Sequence, residues 1–311
     1  MSEPRDQDAP RVRSCGTMAE FNRLAELDPG YRMRLAGIED TMQRTLGRMS
    51  LARLTAVTVP VVVHVVYRDP AHNITDAQVH SQLAVLNADY SATNTDRPKV
   101  PPVWSSLVGD AKIVFKLART DPDGGATTGI TRQQTTVAEF GQDDGVKFRT
   151  SGGTDAWNTS LYLNIWVCNL GGGLLGYAQF PGGPSATDGV VILNTAFGTV
   201  GIASTPFHLG RTTTHEVGHF LNLRHIWGDT EDCSGTDHVP DTPRAQHPNY
   251  ESPTFPHVSC NNGPNGDMFM NYMDYVNDPA MFMFTAGQVA RMRAALAGPR
   301  KTLVTGSASR T

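Results

Sequence analysis

The chain of 311 residues is short of charge and of cysteine. Charged residues make up 18%, against about 25% in an average soluble protein. Lys plus Arg number 26 and Asp plus Glu 30, for a net charge of −4, which excludes the basic footprint of a nucleic-acid binder. Four cysteines (Cys15, Cys168, Cys233, Cys260) are too few for a disulfide-built scaffold, although one bridge is possible. No apolar run reaches the ~18 residues of a membrane span. The longest β-like run, Val59 to Tyr67, even contains His64. The start, Met1-Ser2-Glu3-Pro4-Arg5-Asp6, lacks the apolar centre of a secretion signal. A signal has been removed, export uses another route, or the protein stays inside. Glycine (30) and proline (20) are plentiful, the composition of a loop-rich globular protein.

Periodicity divides the chain. Residues 1–16 are polar and read as extended or mobile. Apolar residues then recur at steps of three and four from Met18 to Met49, interrupted by Asp28-Pro29-Gly30, so this stretch reads as helical. Ser50 to Thr58 reads as a linker. Pro60 to Tyr67 is β-branched almost throughout and predicts a strand buried on both faces. Asp76 to Tyr90 reads as a helix capped by Thr75. Strands are expected at Lys112–Ala118, Leu161–Val167 and Gly189–Leu193, then helix at Arg211–Leu221. About 60 irregular residues rich in Pro, Asp and Asn follow, before a closing helix at Thr285–Ala297. The pattern predicts an α/β upper part and an irregular lower part that meet at a cleft.

The informative motif is His215-Glu216-Val217-Gly218-His219. Residues i and i+4 share one face of a helix, so both imidazoles can reach one zinc ion with Glu216 beside them. His225 follows six residues later and completes H-E-x-x-H-x-x-x-x-x-H. A straight helix would carry His225 about 15 Å along the axis from His215, so the chain must leave the helix and turn back. The usual device is a left-handed residue, normally Gly. That position holds Asn222, the next most tolerant residue type. Three neutral histidines leave a zinc position open for water, whose proton Glu216 is placed to take. The other seven histidines (His64, His72, His80, His208, His238, His247, His257) show no ligand spacing. Asn73-Ile74-Thr75 and Asn158-Thr159-Ser160 match the glycosylation pattern, which is common by chance.

Downstream lies Met270-Asn271-Tyr272-Met273-Asp274-Tyr275. With the zinc motif it resembles the metzincin metallopeptidases, and specifically the pappalysin family. The resemblance is carried by Leu163 to Cys168, Gly173 to Pro181, His215 to Gly228, Asp241-Thr242-Pro243, Met268 to Tyr275, and Phe284-Thr285 with Gln288, Arg291 and Met292. It implies a metzincin-like α+β fold. An upper subdomain of about 56–222 would hold a twisted mixed sheet and the zinc helix. An irregular lower subdomain of about 223–300 would end in a helix, and 301–311 would form a flexible tail. It implies Met273 as the residue of a Met-turn under the histidines, and Tyr275 as a phenol that stabilises the tetrahedral intermediate. Asn222 departs from the family's usual Gly.

The resemblance also implies that Gly176, Tyr177 and Ala178 form a cleft rim to which extended substrate adds as a strand. An ordinary edge strand remains the alternative. It suggests a basic preference after the scissile bond, for which Asp274 and Asp278 are candidates, and structural calcium on Asp237, Asp241 and Thr242. A solvated acidic loop is the plainer reading of that stretch. Cys233 and Cys260 flank it and form the preferred disulfide among the three connectivities that four cysteines allow. Cys168 reads as a buried thiol. Cys15, in Arg13-Ser14-Cys15-Gly16, resembles the cysteine switch of matrixins and some pappalysins: a thiolate on zinc would keep the enzyme latent. A plain exposed thiol is the alternative. On the switch reading, 1–55 is a pro-segment, 56–300 is the catalytic domain, and activation cuts between Arg48 and Arg53. The function expected is a secreted zinc endopeptidase acting on proteins or peptides. A non-catalytic zinc module and a small-amide hydrolase compete with it, and Glu216 argues against the first of these.

Overall fold

The structure, a computed structural model, describes residues 10–305 and 310–311. The expectations for residues 1–9, and for 306–309 of the tail, lie outside the described residues.

The N-terminal helical stretch forms two helices, α1 (Thr17–Leu27) and α2 (Gly30–Leu46). They are separated at Asp28-Pro29, where the Asp28 carboxylate accepts from the Gly30 N–H at 2.9 Å. The β-branched run forms β1 (Val57–Tyr67). It is long enough to pair in parallel with β2 (Ile113–Leu117) along its first half and with β3 (Ile130–Gln134) along its second. On its other side lie β4 (Leu163–Cys168) and β6 (Val190–Leu193), both parallel, and then β5 (Gly176–Ala178), which is antiparallel to β6 and forms the edge. The mixed sheet is therefore as expected, except that β3, whose sequence Ile-Thr-Arg-Gln-Gln is polar, gives no apolar pattern to read.

Side chains alternate across this sheet. Val59, Val61, Val63 and Val65 join Ile165, Val190 and Ile192 in the main core, which also takes α3 (Asp76–Tyr90) and α4 (Arg211–Phe220). Val66, Trp166, Cys168, Tyr177 and Val191 fill a second core on the opposite face. Cys168 is a free, buried thiol, as expected. Below the sheet the chain is irregular, with a two-stranded ribbon of β7 (Tyr250–Glu251) and β8 (Tyr275–Val276) and the closing α5 (Ala286–Ala297). The Cys233–Cys260 disulfide closes a loop there. The expected flexible tail needs correction: it begins with α6 (Lys301–Val304), whose Leu303 is buried in the main core, and Arg310 accepts a backbone hydrogen bond from Arg119 at 2.8 Å. Among the described residues no helix is long and apolar enough to cross a membrane.

His64 interrupts the valine run for a structural reason. Its Nε2–H donates to the Asn164 Oδ1 at 2.9 Å, and its Nδ1 accepts from the Thr131 hydroxyl at 2.7 Å. Burial pulls this imidazole down to about 4, against about 6.5 in an unfolded chain. Between those values the unfolded chain binds a proton that the native chain excludes. The contribution is full above the upper value and is lost as pH falls towards the lower one, by roughly 3 kcal/mol. Thermal melts from pH 7 to 4 should show a steep loss of stability. A His64→Gln variant should show a shallower one, and equal slopes would contradict this assignment.

Candidate active site

Helix α4 has a poor helical sequence, Arg-Thr-Thr-Thr-His-Glu-Val-Gly-His-Phe, so tertiary contacts must hold it. All ten of its residues are buried. At its first turn Arg211 pairs with Asp89, and also with Asp96 at 2.9 Å. Thr214 donates to Asp89 at 2.7 Å, and the Tyr272 hydroxyl donates to the same carboxylate at 3.0 Å. This network ties the helix to α3 and to the segment before Met273.

The helix ends at a left-handed residue. Asn222 takes φ +70°, its N–H bonds the His219 carbonyl, and the Leu223 N–H bonds the Gly218 carbonyl. This pair of bonds is a Schellman stop. The reversed chain brings His225 back to the helix. The Nε2 of His219 lies 3.1 Å from that of His215 and 3.0 Å from that of His225.

The outer nitrogens fix the tautomers. The Nδ1 of His215 donates to the Tyr272 carbonyl at 2.7 Å, that of His219 to the Leu223 carbonyl at 2.8 Å, and that of His225 to the Asp229 carboxylate at 2.5 Å. Burial and the neighbouring imidazoles push His215 and His219 well below the usual imidazole range, so both are neutral. The Nε2 of each then presents a lone pair, and that of His225 faces the same point. Such a donor set fits a cation. Three imidazoles with a thiol nearby suit zinc rather than calcium or magnesium.

That thiol belongs to Cys15. Its Sγ and the three imidazole nitrogens all lie within 4.8 Å of one another. The Sγ also lies 3.4 Å from Oε2 of Glu216, which accepts from the Thr17 hydroxyl at 2.9 Å. Burial raises Glu216 to about 7. Tyr275 donates its hydroxyl to the Cys15 carbonyl at 3.4 Å, and its ring lies 4.9 Å from His225 and 4.8 Å from Trp227. Met273 is buried under the helix, where a Cβ on Gly218 would come within 2.5 Å of its Sδ. Gly218 leaves the space that the Met273 thioether fills.

The rim contacts are made by the N-terminal segment. The Gly16 N–H bonds the Gly176 carbonyl at 2.8 Å, the Leu175 N–H bonds Ser14 at 2.9 Å, and the Ala178 N–H bonds the Thr17 hydroxyl at 2.8 Å. Gly176 and Ala178 thus line the rim. Tyr177 does not present its side chain there: it turns to the other face of the strand and reaches Asp144 at 3.3 Å. The two candidate acids also differ. Asp278 meets the buried Arg13 guanidinium at 2.5 Å, and Arg13 also donates to the Val276 carbonyl and the Thr212 hydroxyl. Asp274 is committed to the Asn249 amides at 2.8 Å and is not an acid of the cleft. On the acidic turn, Asp237 accepts from Thr242 at 2.7 Å, whereas the Asp241 carboxylate is spent on the start of α5, accepting from Thr285 and Gly287 at 2.7 Å.

Sequence reasoning does not single out Asp229, although its i+4 spacing from His225 is a signal. Nor does it single out the roles of Arg13 and Thr17, whose partners are about 200 or more residues away.

Residues 150–297 match the profile of Peptidase M43, pregnancy-associated plasma protein-A. The chain is 32% identical over 259 residues to an extracellular metalloprotease of Arthroderma otae (79% of this chain, 81% of that one) and 33% identical over 289 residues to one of Pyricularia oryzae (89% and 86%). A mutant promirolysin of Tannerella forsythia is similar at 45% identity and TM-score 0.89, covering 96% of this chain and 99% of that one. Mature mirolysin of the same organism, in complex with a cleaved peptide, is 50% identical with TM-score 0.81, covering 82% and 98%. Fold and site thus define a metzincin-type metallopeptidase. The chain belongs to Peptidase family M43, the pappalysins.

The Arg13–Asp278 pair is fully buried, so Arg13→Ala should weaken docking of the N-terminal segment by about 3–5 kcal/mol. Hydrogen exchange over residues 10–27 should become much faster, with the sheet unchanged. Unaltered protection of that segment would contradict the anchoring role.

Proposed function

We propose that this chain is a latent zinc endopeptidase in which His215, His219 and His225 hold the metal and Cys15 fills its fourth position. The observation that carries the reading is the convergence of three Nε2 atoms and one thiol. The match of the whole chain to a pro-form, and of a shorter part to a mature form, supports residues 1–55 as the pro-segment and 56–300 as the catalytic domain. The names of the relatives support secretion. A structural calcium would draw on Asp237 and Thr242.

Held by His215, His219 and His225, a zinc ion would supply Lewis acidity, bringing the pKa of a bound water to about 7 and polarising the scissile carbonyl. Glu216 supplies the base. Its Oε2 is occupied by Cys15 and Thr17, so departure of this segment frees it to take the water's proton and deliver it to the leaving amine. Tyr275, which already donates to a peptide carbonyl beside the histidines, donates to the oxyanion that develops on the substrate. Asp278 takes a basic side chain just after the scissile bond, where Arg13 sits in the latent chain. Substrate then runs from the α1 side towards Asp278. The pro-segment runs the other way, from Arg13 through Cys15 to α1, and so presents no bond in the cleavable direction.

Glu216→Ala should retain one zinc per chain and lose about a hundred- to ten-thousand-fold in kcat/KM on a casein or peptide substrate. Equal activity would overturn the reading. The linker after α2 is exposed at Arg48 and Arg53. Asp278 therefore predicts activation cuts at Gly47–Arg48 and Ala52–Arg53, slowed at least about tenfold in Asp278→Asn. N-terminal sequencing and intact mass during activation would read both. Cuts elsewhere at unchanged rate would contradict the role of Asp278.

A further inference from the structure

Arg13 and Cys15 lie over two parts of the cleft, and α1 lies over a third. Its apolar side rests on one aromatic ring of the catalytic domain. Phe21, Leu24, Ala25, Tyr31 and Leu35 form a small core whose sole buried member outside α1 and α2, among the described residues, is Phe180. The Phe21 ring meets Phe180 edge-on at 6.1 Å, and the Tyr31 hydroxyl donates to the Phe180 carbonyl at 3.3 Å.

Phe180 belongs to the cleft by strand parity. Gly176, Ala178 and Phe180 alternate with Tyr177 and Gln179. A Cβ on Gly176 would meet the Glu216 side chain at 2.9 Å, and the Phe180 ring lies 5.6 Å from the His219 ring. Once the helices leave, this ring loses its apolar cover beside the metal histidines, on the side of Cys15 opposite to Asp278, and keeps the Arg224 guanidinium 5.9 Å from its centroid.

We propose that Phe180 is a specificity-determining residue: it forms an apolar subsite for a residue before the scissile bond, and the mature enzyme seats a large aliphatic or aromatic substrate side chain where Phe21 sits in the latent chain. The inference rests on the peptidase reading above, which sets the direction of the substrate.

The test uses enzyme activated from the full chain. Peptides carry Arg after the scissile bond, and each position before it is varied among Phe, Leu, Ala and Asp. In wild type, one position should favour Phe or Leu over Ala by about tenfold in kcat/KM. In Phe180→Ala that ratio should fall below about twofold, with the preference for Arg over Gln after the bond unchanged. Phe180→Leu should retain an intermediate ratio. A purely structural role would lower kcat/KM for every peptide equally and leave the ratio intact, which overturns the proposal. So does a wild type indifferent at every position before the bond. A wild type that cuts none of the peptides contradicts the peptidase reading itself, and the subsite falls with it.

Discussion

The buried Nε2 of His219 lies 3.1 Å from that of His215 and 3.0 Å from that of His225, and each ring turns its other nitrogen to an oxygen, so the three inner nitrogens form a donor set that a cation among them would hold together. Much of the surrounding structure holds that arrangement in place. Tyr272 accepts from His215, and the turn at Met273 carries Tyr272. Leu223 accepts from His219 only because Asn222 reverses the chain. Asp229 accepts from His225, whose ring stacks on Trp227 at 4.3 Å.

The same constraint explains why a weak helical sequence persists. Helix α4 is fixed by Arg211 at its first turn and by Arg300, which donates to the Phe220 carbonyl at 2.5 Å, at its last. The N-terminal segment packs against this rigid floor. Arg23 pairs with Asp144, the partner of Tyr177, and Glu39 pairs with Arg291 at 2.8 Å under the bend, where Met42 meets Asn222. Latency on this account is a series of separate contacts along the cleft, in which the thiol is one of several.

Much of this was legible in the residues. The i, i+4 and i+10 histidines and the left-handed Asn222 are local features, and local features survive folding because spacing alone sets them. Val61 to Val66 announced a strand buried on both faces in the same way. The polar strand Ile130–Gln134 gave no such sign, because it owes its place to pairing with β1. Asp274 and Asp278 could not be told apart in sequence: four residues separate them, yet one carboxylate turns to Asn249 and the other to Arg13. The contacts of Thr17 with Glu216 and of Phe21 with Phe180 span more than 150 residues, and no local pattern encodes them.

X-ray absorption at the zinc edge tests the central claim most directly, on the intact chain and again after the linker is cut and the pro-segment is removed. The account predicts one zinc per chain, with three nitrogen neighbours and one sulfur at about 2.3 Å before cleavage, and three nitrogens with oxygen in place of sulfur afterwards. A latent chain that binds no zinc at this site, or a zinc shell without sulfur before cleavage, would contradict it.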